Sequence, residues 1–436
     1  LSLHVEDWSA RADDAQRTAL EDYRRADRAR PFDLERDPLM RFGLFKLGED
    51  RWSVVWSYPH LLLDGWSTGR LLEEFLDRYD EARLPPVAPF SRYLDWLAAQ
   101  DRGAALARWR ERLDGYGDPA SIPTGDAPAA RTRARVTAPW PLSAETTERL
   151  RAVSAAHRIT LNSLVLALWG VWLGRLNDRT DVVCGSTVSG RPAELDGVER
   201  MVGLFINTLP VRVQWRESES FLALAARVQR EALAAQADGF VPLADIQATT
   251  AARGALVDHL LIFENYPLDQ RVRDLGETRR RWSLDDVDVF EETHYPFVLA
   301  VAPSAERLEM RCTYDASVFT PARIATVQAQ WQALVTSVLA EPDRPLRTVE
   351  ILTNDEQALV QDTFARGAQP APGGHTLHAL LRAPLQHTPD AIAVSDASGE
   401  VTYRTLHARA SALAAVLTQA GVTTDRCVGL CLDRSI

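Results

Sequence analysis

Lysine is almost absent from this chain. It occurs once, at Lys46, so arginine supplies nearly all of the 49 basic residues, and these are outnumbered by 60 acidic ones. The resulting net charge of −11 argues against a nucleic-acid backbone or an anionic membrane as the main partner, since both reward a basic surface. Cysteine is scarce too: Cys184, Cys312, Cys427 and Cys431 form no CxxC pair and have no histidine at metal-ligand spacing. A disulfide framework and a zinc site both lack support, and a reduced, cytoplasmic chain is the expectation. No run of about 18 apolar residues exists, and the stretch that opens at Leu1 is polar and acidic rather than signal-like, so neither a membrane span nor a targeting segment is read. The G-x-S-x-G elbow, the G-x-x-x-x-G-K-[ST] loop and a G-x-G-x-x-G after a strand are also missing, which removes the main support for a serine hydrolase, a P-loop enzyme or a dinucleotide oxidoreductase.

What is present is ample core material. With 436 residues, 46 % of them hydrophobic and 25 % charged, the composition is globular and the length predicts about two to three compact units. Trp52 to Tyr58 reads as a buried strand, and Leu71, Leu72, Phe75, Leu76 and Tyr79 recur at helical spacing after the loop Pro59–Ser67. Pro85, Pro86 and Pro89 end that helix. A single helix is expected from Ser91 to Leu113, with Tyr93, Trp96, Leu97, Ala104 and Trp109 on one side. Gly115 to Arg131 is rich in Gly, Pro, Asp and Ala and reads as a long surface connection. From Arg133 to about residue 350 strands and helices mix: a strand at Arg133–Trp140, a helix behind Ser143 as N-cap, a very apolar helix capped by Thr160 or Asn162, strands at Asp181–Ser189 and Leu209–Trp215, and a closing helix at Pro321–Leu339. Two comparable α/β or α+β halves are the expectation. Gly367–Gly374 is of linker composition, and Leu377–Ala420 reads as two short helices flanking strands at Ile392–Ser395 and Val401–Tyr403.

Among residues able to do chemistry, His60, Asp64 and Gly65 stand together on the loop before a helix. An imidazole is the usual base for a neutral amine or alcohol nucleophile, so His60 is the catalytic candidate. Asp64 could orient the loop or pair with an arginine, and Gly65 permits a tight backbone. The plain structural alternative is a half-buried histidine, a capping aspartate and a turn glycine. His259 reads as a strand residue facing solvent or the core, His294 as a loop residue that could line a cleft, and His375, His378, His387 and His407 as solvated surface.

Ser57-Tyr-Pro-His60-Leu-Leu-Leu-Asp64-Gly65-Trp-Ser67 resembles the H-H-x-x-x-D-G motif of condensation domains of nonribosomal peptide synthetases. Tyr93-Leu-Asp-Trp96, Gly185-Ser-Thr-Val-Ser-Gly190-Arg191-Pro192, Val202-Gly-Leu-Phe-Ile-Asn207-Thr-Leu-Pro-Val-Arg212 and Phe263-Glu-Asn-Tyr-Pro267 follow in that family's order. Thr388-Pro-Asp-Ala-Ile-Ala393 with Val401-Thr-Tyr403-Arg-Thr-Leu406 resembles the opening of the adenylation domain that comes next in such synthetases.

The resemblance implies two chloramphenicol-acetyltransferase-like α/β lobes in a V-shaped pseudo-dimer, with the first lobe incomplete. It implies a partial first lobe at 1–125, the second at 126–352, a linker at 353–374 and an adenylation fragment at 375–436. It further implies peptide-bond formation between a carrier-bound aminoacyl or peptidyl thioester and an aminoacyl acceptor, in a tunnel reached by phosphopantetheine arms. Upstream and downstream carrier domains and the adjoining adenylation domain are the implied partners. No metal or directly bound cofactor is implied, ATP and Mg belonging to the full adenylation domain alone. His60 takes the place of the motif's second histidine, as base or as the group that positions the amine. Asp64 takes that of the structural aspartate, with Arg191 as its suggested partner, and Gly65 that of the glycine whose N–H lies beside the reacting centre. Trp66, Ser67, Ser189 and Asn207 stand as tunnel or support residues. Pro59 is the departure, standing where the motif has its first histidine, removing an N–H and fixing φ. The variant motifs at Phe205–Arg212 and Phe263–Pro267 hint at a donor ending in a D-residue. An epimerisation domain and a weakly active docking platform are the alternatives; the adenylation-like tail speaks against the first and Pro59 for the second.

Overall fold

The computed structural model describes residues 2–125, 134–252, 254–264, 288–291, 293–304, 307–365, 376–432 and 435–436. The chain divides into two compact units, 1–354 and 355–436. Asn265-Tyr266-Pro267, His375 and the whole of the Gly367–Gly374 stretch lie outside the described residues.

The first unit carries two sheets. In the smaller, β1 (Ser2–Asp7) pairs in parallel with β2 (Arg41–Lys46), which pairs antiparallel with β3 (Trp52–Ser57). Helix α1 (Asp13–Ala29) covers one face. There the Tyr23 ring meets Phe45 edge-on at 4.7 Å, and Phe45 stacks on Trp8 at 4.1 Å. β3 runs straight into the His60 loop and α2 (Gly65–Tyr79).

Where one helix was expected from Ser91 to Leu113, there are two, α3 (Ser91–Ala98) and α4 (Arg102–Arg112). Asp101 breaks the run: its side chain accepts from the Ala104 N–H and so starts a new helix in the middle of the old pattern. The expected surface connection after Leu113 is also partly interior. Tyr116, Ala120 and Ile122 are buried, and the Tyr116 hydroxyl accepts from the Ala120 and Val183 amides. A phenol that satisfies two backbone donors can hold a Gly- and Pro-rich stretch against a core.

The larger sheet is mixed, with described order β4-β9-β8-β7-β5-β6. Its strands are β4 (Arg135–Pro139), β5 (Asp181–Val188), β6 (Asn207–Gln214), β7 (His259–Phe263), β8 (Phe297–Pro303) and β9 (Leu308–Asp315). It is twice the width of the first, so the halves are less alike than the sequence suggests. Helices α5 (Ala144–His157), α6 (Leu161–Leu176) and α7 (Phe221–Gln236), the short α8 (Leu243–Ala248) and α9 (Pro321–Ala340) complete this half. Ser143, Thr160, Ser220 and Thr320 cap α5, α6, α7 and α9 through their side chains. α6 is apolar all round because it is interior all round, buried from Ser163 through Gly174. Its own Trp169 and Trp172, and Trp140 and Trp331 packed against them, are fully buried, each contributing on the order of 2 kcal/mol of hydrophobic stabilisation. No single described helix is long and apolar enough to cross a membrane.

In the second unit, helix Leu377–His387 and the longer helix Tyr403–Gln419 flank the antiparallel pair Ile392–Asp396 and Gly399–Thr402. Only one hydrophobic side chain among its described residues, Val401, is buried. The second helix, at 17 residues, is not the short element expected.

α4 is fastened to the larger half by a carboxylate. Asp238, its side chain 1 % exposed, accepts from Arg108 (Nε 3.0 Å to each oxygen, Nη2 2.5 Å) and from Arg112 (Nη1 2.6 Å). Its own carbonyl accepts from Trp109 Nε1 at 3.1 Å. Burial pushes the Asp238 carboxyl upward, but the two guanidiniums outweigh it and hold it below the ordinary carboxylate range. A carboxyl depressed in the folded state stabilises fully above its unfolded value near ~3.9 and loses that contribution as pH falls through the folded one. Asp238→Asn is therefore expected to cost about 2 kcal/mol at neutral pH, and its deficit against the unaltered chain should shrink as urea unfolding is repeated from about pH 5 downward. A deficit independent of pH would show that the charge is not what holds α4.

Candidate active site

The site is built where α2 begins. β3 ends at Ser57, the chain turns at Pro59, whose carbonyl accepts from Leu62 N at 2.9 Å, and Leu63 is buried at the foot of the turn. Asp64 then caps α2, its Oδ1 accepting from Ser67 N at 2.8 Å. Gly65 is the first helical residue and has ordinary helical backbone rather than positive φ. The special backbone freedom expected of it is not used; a helix start needs none.

Asp64 is 2 % exposed and wholly committed. Beyond its cap, Oδ2 accepts from Phe205 N at 3.0 Å and Ile206 N at 3.3 Å, and Arg191 Nη2 lies 3.5 Å from Oδ1. The carboxylate of one half thus satisfies backbone donors of the other. It sits at the positive end of α2 and beside the buried guanidinium. Burial lowers the Arg191 pKa from its ordinary value, and the Asp64 charge opposes that shift. Arg191 also donates through Nη1 to the Val198 carbonyl, and at 2.9 Å to that of Met201. Its guanidinium sits 3.9 Å from the Phe205 ring centroid, a cation–π contact.

Ser67 doubles the clasp. Its hydroxyl donates to the Gly203 carbonyl at 2.7 Å and accepts from Gly203 N at 3.1 Å and Arg191 Nη2 at 2.9 Å. Trp66 Nε1 donates to the Glu199 carbonyl at 2.8 Å. Beneath lies a ring cluster: Phe205 meets Tyr93 at 4.6 Å and Phe90 at 5.1 Å. Two glycines make the approach possible. Gly190 has φ +62°, and a Cβ there would fall 1.7 Å from the Phe205 oxygen; a Cβ on Gly203 would fall 2.2 Å from the Phe90 ring.

His60, by contrast, is exposed, and its ring forms no hydrogen bond or ion pair among the described residues. Of the residues singled out in the sequence, the structure brings Asp64, Trp66, Ser67 and Arg191 into one clasp beside His60 and Pro59. Asn207 stands apart from it. Both of its amide hydrogens go to backbone, to Gly239 O at 2.7 Å and Val241 O at 2.8 Å, and its Oδ1 accepts from Thr208 N. This side chain ties β6 to the loop before α8 and has no donor left. Ser189 is exposed and unbonded among the described residues.

His259 is buried on β7, its Nδ1 2.9 Å from Asp258 Oδ1, which settles it as a core partner rather than a solvent-facing residue. His294 is exposed and lies against the Tyr295 ring. A groove of about 300 Å³ between α3 and Phe240–Pro242 includes no residue of the His60 loop. The sequence reading missed Tyr58 and Thr68, whose hydroxyls lie 2.7 Å apart across the base of the loop. The available signal is a threonine four residues past a capping aspartate, placed to return its hydroxyl to the cap's carbonyl.

An exposed imidazole thus stands on a turn clamped between two α/β halves. Residues 1–360 match the family model described as condensation domain, and residues 381–436 that of AMP-binding enzyme. The chain belongs to the condensation-domain family of nonribosomal peptide synthetases and continues into the start of an AMP-binding domain, as its motifs led one to expect. It is 34 % identical over 425 residues to a plipastatin synthase of Bacillus subtilis (strain 168), covering 95 % of this chain and 12 % of that protein. It is 33 % identical over 445 residues to tyrocidine synthase 2 of Brevibacillus parabrevis, covering 100 % of this chain and 12 % of that protein. It therefore spans about an eighth of either relative.

Among solved structures it is similar to holo-AB3403, a four-domain nonribosomal peptide synthetase bound to AMP and glycine (TM-score 0.68, 19 % identity, 97 % of this chain and 33 % of that one). It is also similar to the X-domain from teicoplanin biosynthesis (TM-score 0.63, 22 % identity, 81 % and 82 %). These likenesses establish the mixed α/β, pseudo-dimeric lobe fold.

Two substitutions test the clasp. Gly190→Ala should cost about 3 kcal/mol or more, from strained φ and the overlap with Phe205. Asp64→Ala should cost about 3–5 kcal/mol by stranding Arg191 in the interior. Denaturant midpoints shifted by less than about 0.5 kcal/mol equivalent would refute the packing described.

Proposed function

We propose that this site joins two carrier-tethered substrates by peptide-bond formation, with His60 acting on the acceptor amine. The observation that carries the reading is the division of labour between neighbours: Asp64 is buried with every strong acceptor position engaged, while His60, four residues earlier, is exposed and unpaired among the described residues. Asp64 is therefore read as structural and His60 as the group left to meet substrate.

In the proposed step the acceptor's α-amine nitrogen attacks the donor's thioester carbonyl carbon. The C–N bond forms, the C–S bond breaks, and the proton lost by nitrogen, taken up by the His60 imidazole, ends on the departing thiol. Gly65 is read as an N–H donor toward the developing oxyanion. As the first residue of α2 its N–H has no intrahelical partner and lies at the helix's positive end. The remaining rate advantage comes from holding both tethered groups in line.

In this reading residues 1–125 and 126–352 are the two lobes, 353–374 the linker, and 375–436 the opening of the adenylation domain. Phosphopantetheine arms of upstream and downstream carriers deliver the substrates, and a donor ending in a D-residue is the narrower reading. ATP and Mg would serve the full adenylation domain alone.

Pro59 favours one second reading, a condensation fold retained as a docking platform. The two separate in the full-length synthetase with both carriers loaded. His60→Ala should lower dipeptidyl product formation by about 100-fold or more without changing the unfolding midpoint, and Pro59→His should raise it. Product formation unchanged by His60→Ala would leave the platform.

A further inference from the structure

The His60 turn is held from two sides, and only one of them is the Asp64 clasp. At the other, Tyr58 Oη lies 2.7 Å from Thr68 Oγ1, and Thr68 Oγ1 donates at 3.0 Å to the Asp64 carbonyl, which also accepts from Thr68 N at 2.9 Å. The direction of the first bond follows from counting protons. A carbonyl can only accept, so the single Thr68 hydroxyl hydrogen is used on Asp64, and Tyr58 must be the donor. The hydroxyl pair thereby closes the chain from Tyr58 to Asp64 into a small ring, joining the residue that enters the turn to the helix that leaves it.

Within this ring each remaining backbone position is fixed by something else. Pro59 has a locked φ, its carbonyl accepts from Leu62 N, and Leu63 is buried. Leu61 and His60 alone point outward, Leu61 being 60 % exposed. The Tyr58 ring is itself braced, 5.1 Å from the Trp56 ring centroid. Burial raises the Tyr58 pKa, with the Thr68 bond opposing, so the donor hydrogen is present throughout the neutral range.

We infer that Tyr58 is a positioning residue for the transfer reaction, acting through Thr68 to set where the His60 ring stands. The inference deepens the function proposed for His60 and rests on it. Removing the Tyr58 hydroxyl leaves the ring, the strand and the Asp64 clasp in place but cuts the tie between the entry to the turn and the start of α2. A catalytic group displaced by about an ångström loses up to two orders of magnitude in rate.

The test uses the full-length synthetase with both carriers loaded, measuring single-turnover product formation and the unfolding midpoint. Tyr58→Phe should slow turnover about tenfold with the midpoint within a degree or two of the unaltered protein. Thr68→Val should match it, the double variant should be no slower than either single one, and Thr68→Ser should restore the rate. In a His60→Ala background, Tyr58→Phe should have no further effect.

Three results would overturn the inference. A normal rate in Tyr58→Phe beside a collapsed rate in His60→Ala would remove it while leaving the His60 reading intact. A tenfold loss that persists in the His60→Ala background would make Tyr58 merely structural. Equal rates in His60→Ala and the unaltered protein would remove both readings together.

Discussion

A carboxylate buried between two halves of a protein cannot be left half-satisfied, and the geometry around Asp64 follows from that requirement. Its oxygens take the first-turn amide of α2, two backbone amides at Phe205 and Ile206, and the Arg191 guanidinium. Each donor comes from a segment that must then hold its place. Arg191 is held by the carbonyls of Val198 and Met201, and the Phe205 segment by the aromatic rings of α3 and its approach. The close passage of Gly190 over the Phe205 carbonyl lets both reach one carboxylate. An interior of low effective dielectric makes such a network stable when complete and costly when broken.

The same commitment shapes the chemistry. A carboxylate spent on packing is unavailable as a base, so an exposed histidine a few residues away is left as the titratable group facing solvent. The proposed transfer between two tethered substrates would gain chiefly from alignment, which a turn pinned at both ends would supply. Asn207 shows the opposite outcome. It sits in a motif of the family, yet all of its amide hydrogens go to backbone.

Much of the fold was legible from local rules. Ser143, Thr160, Ser220 and Thr320 are hydroxyl N-caps before apolar runs, and each starts a helix; the uniform hydrophobicity of α6 belongs to a helix buried on every side. Legibility failed where local and tertiary forces compete. The apolar spacing from Ser91 to Leu113 is helical throughout, but Asp101 gains more as a cap than as an interior residue, and the run splits. The stretch after Leu113 looks like solvent-facing loop because its composition is polar and flexible, and it is drawn inward by the Tyr116 phenol and by donors from Asn177 and Arg323. β1, α1 and β2 went unread: β1 pairs in parallel with a distant strand, and its six residues carry little pattern of their own.

The order of motifs along the chain was enough to determine family and lobe fold and to single out a candidate imidazole, because those depend on which residues stand at which spacing. Which aspartate oxygens meet which amides and why Asn207 is spent were decided only on folding. These contacts join positions up to 142 residues apart, and nothing short-range in a sequence encodes a distance between segments brought together by the burial of their common core.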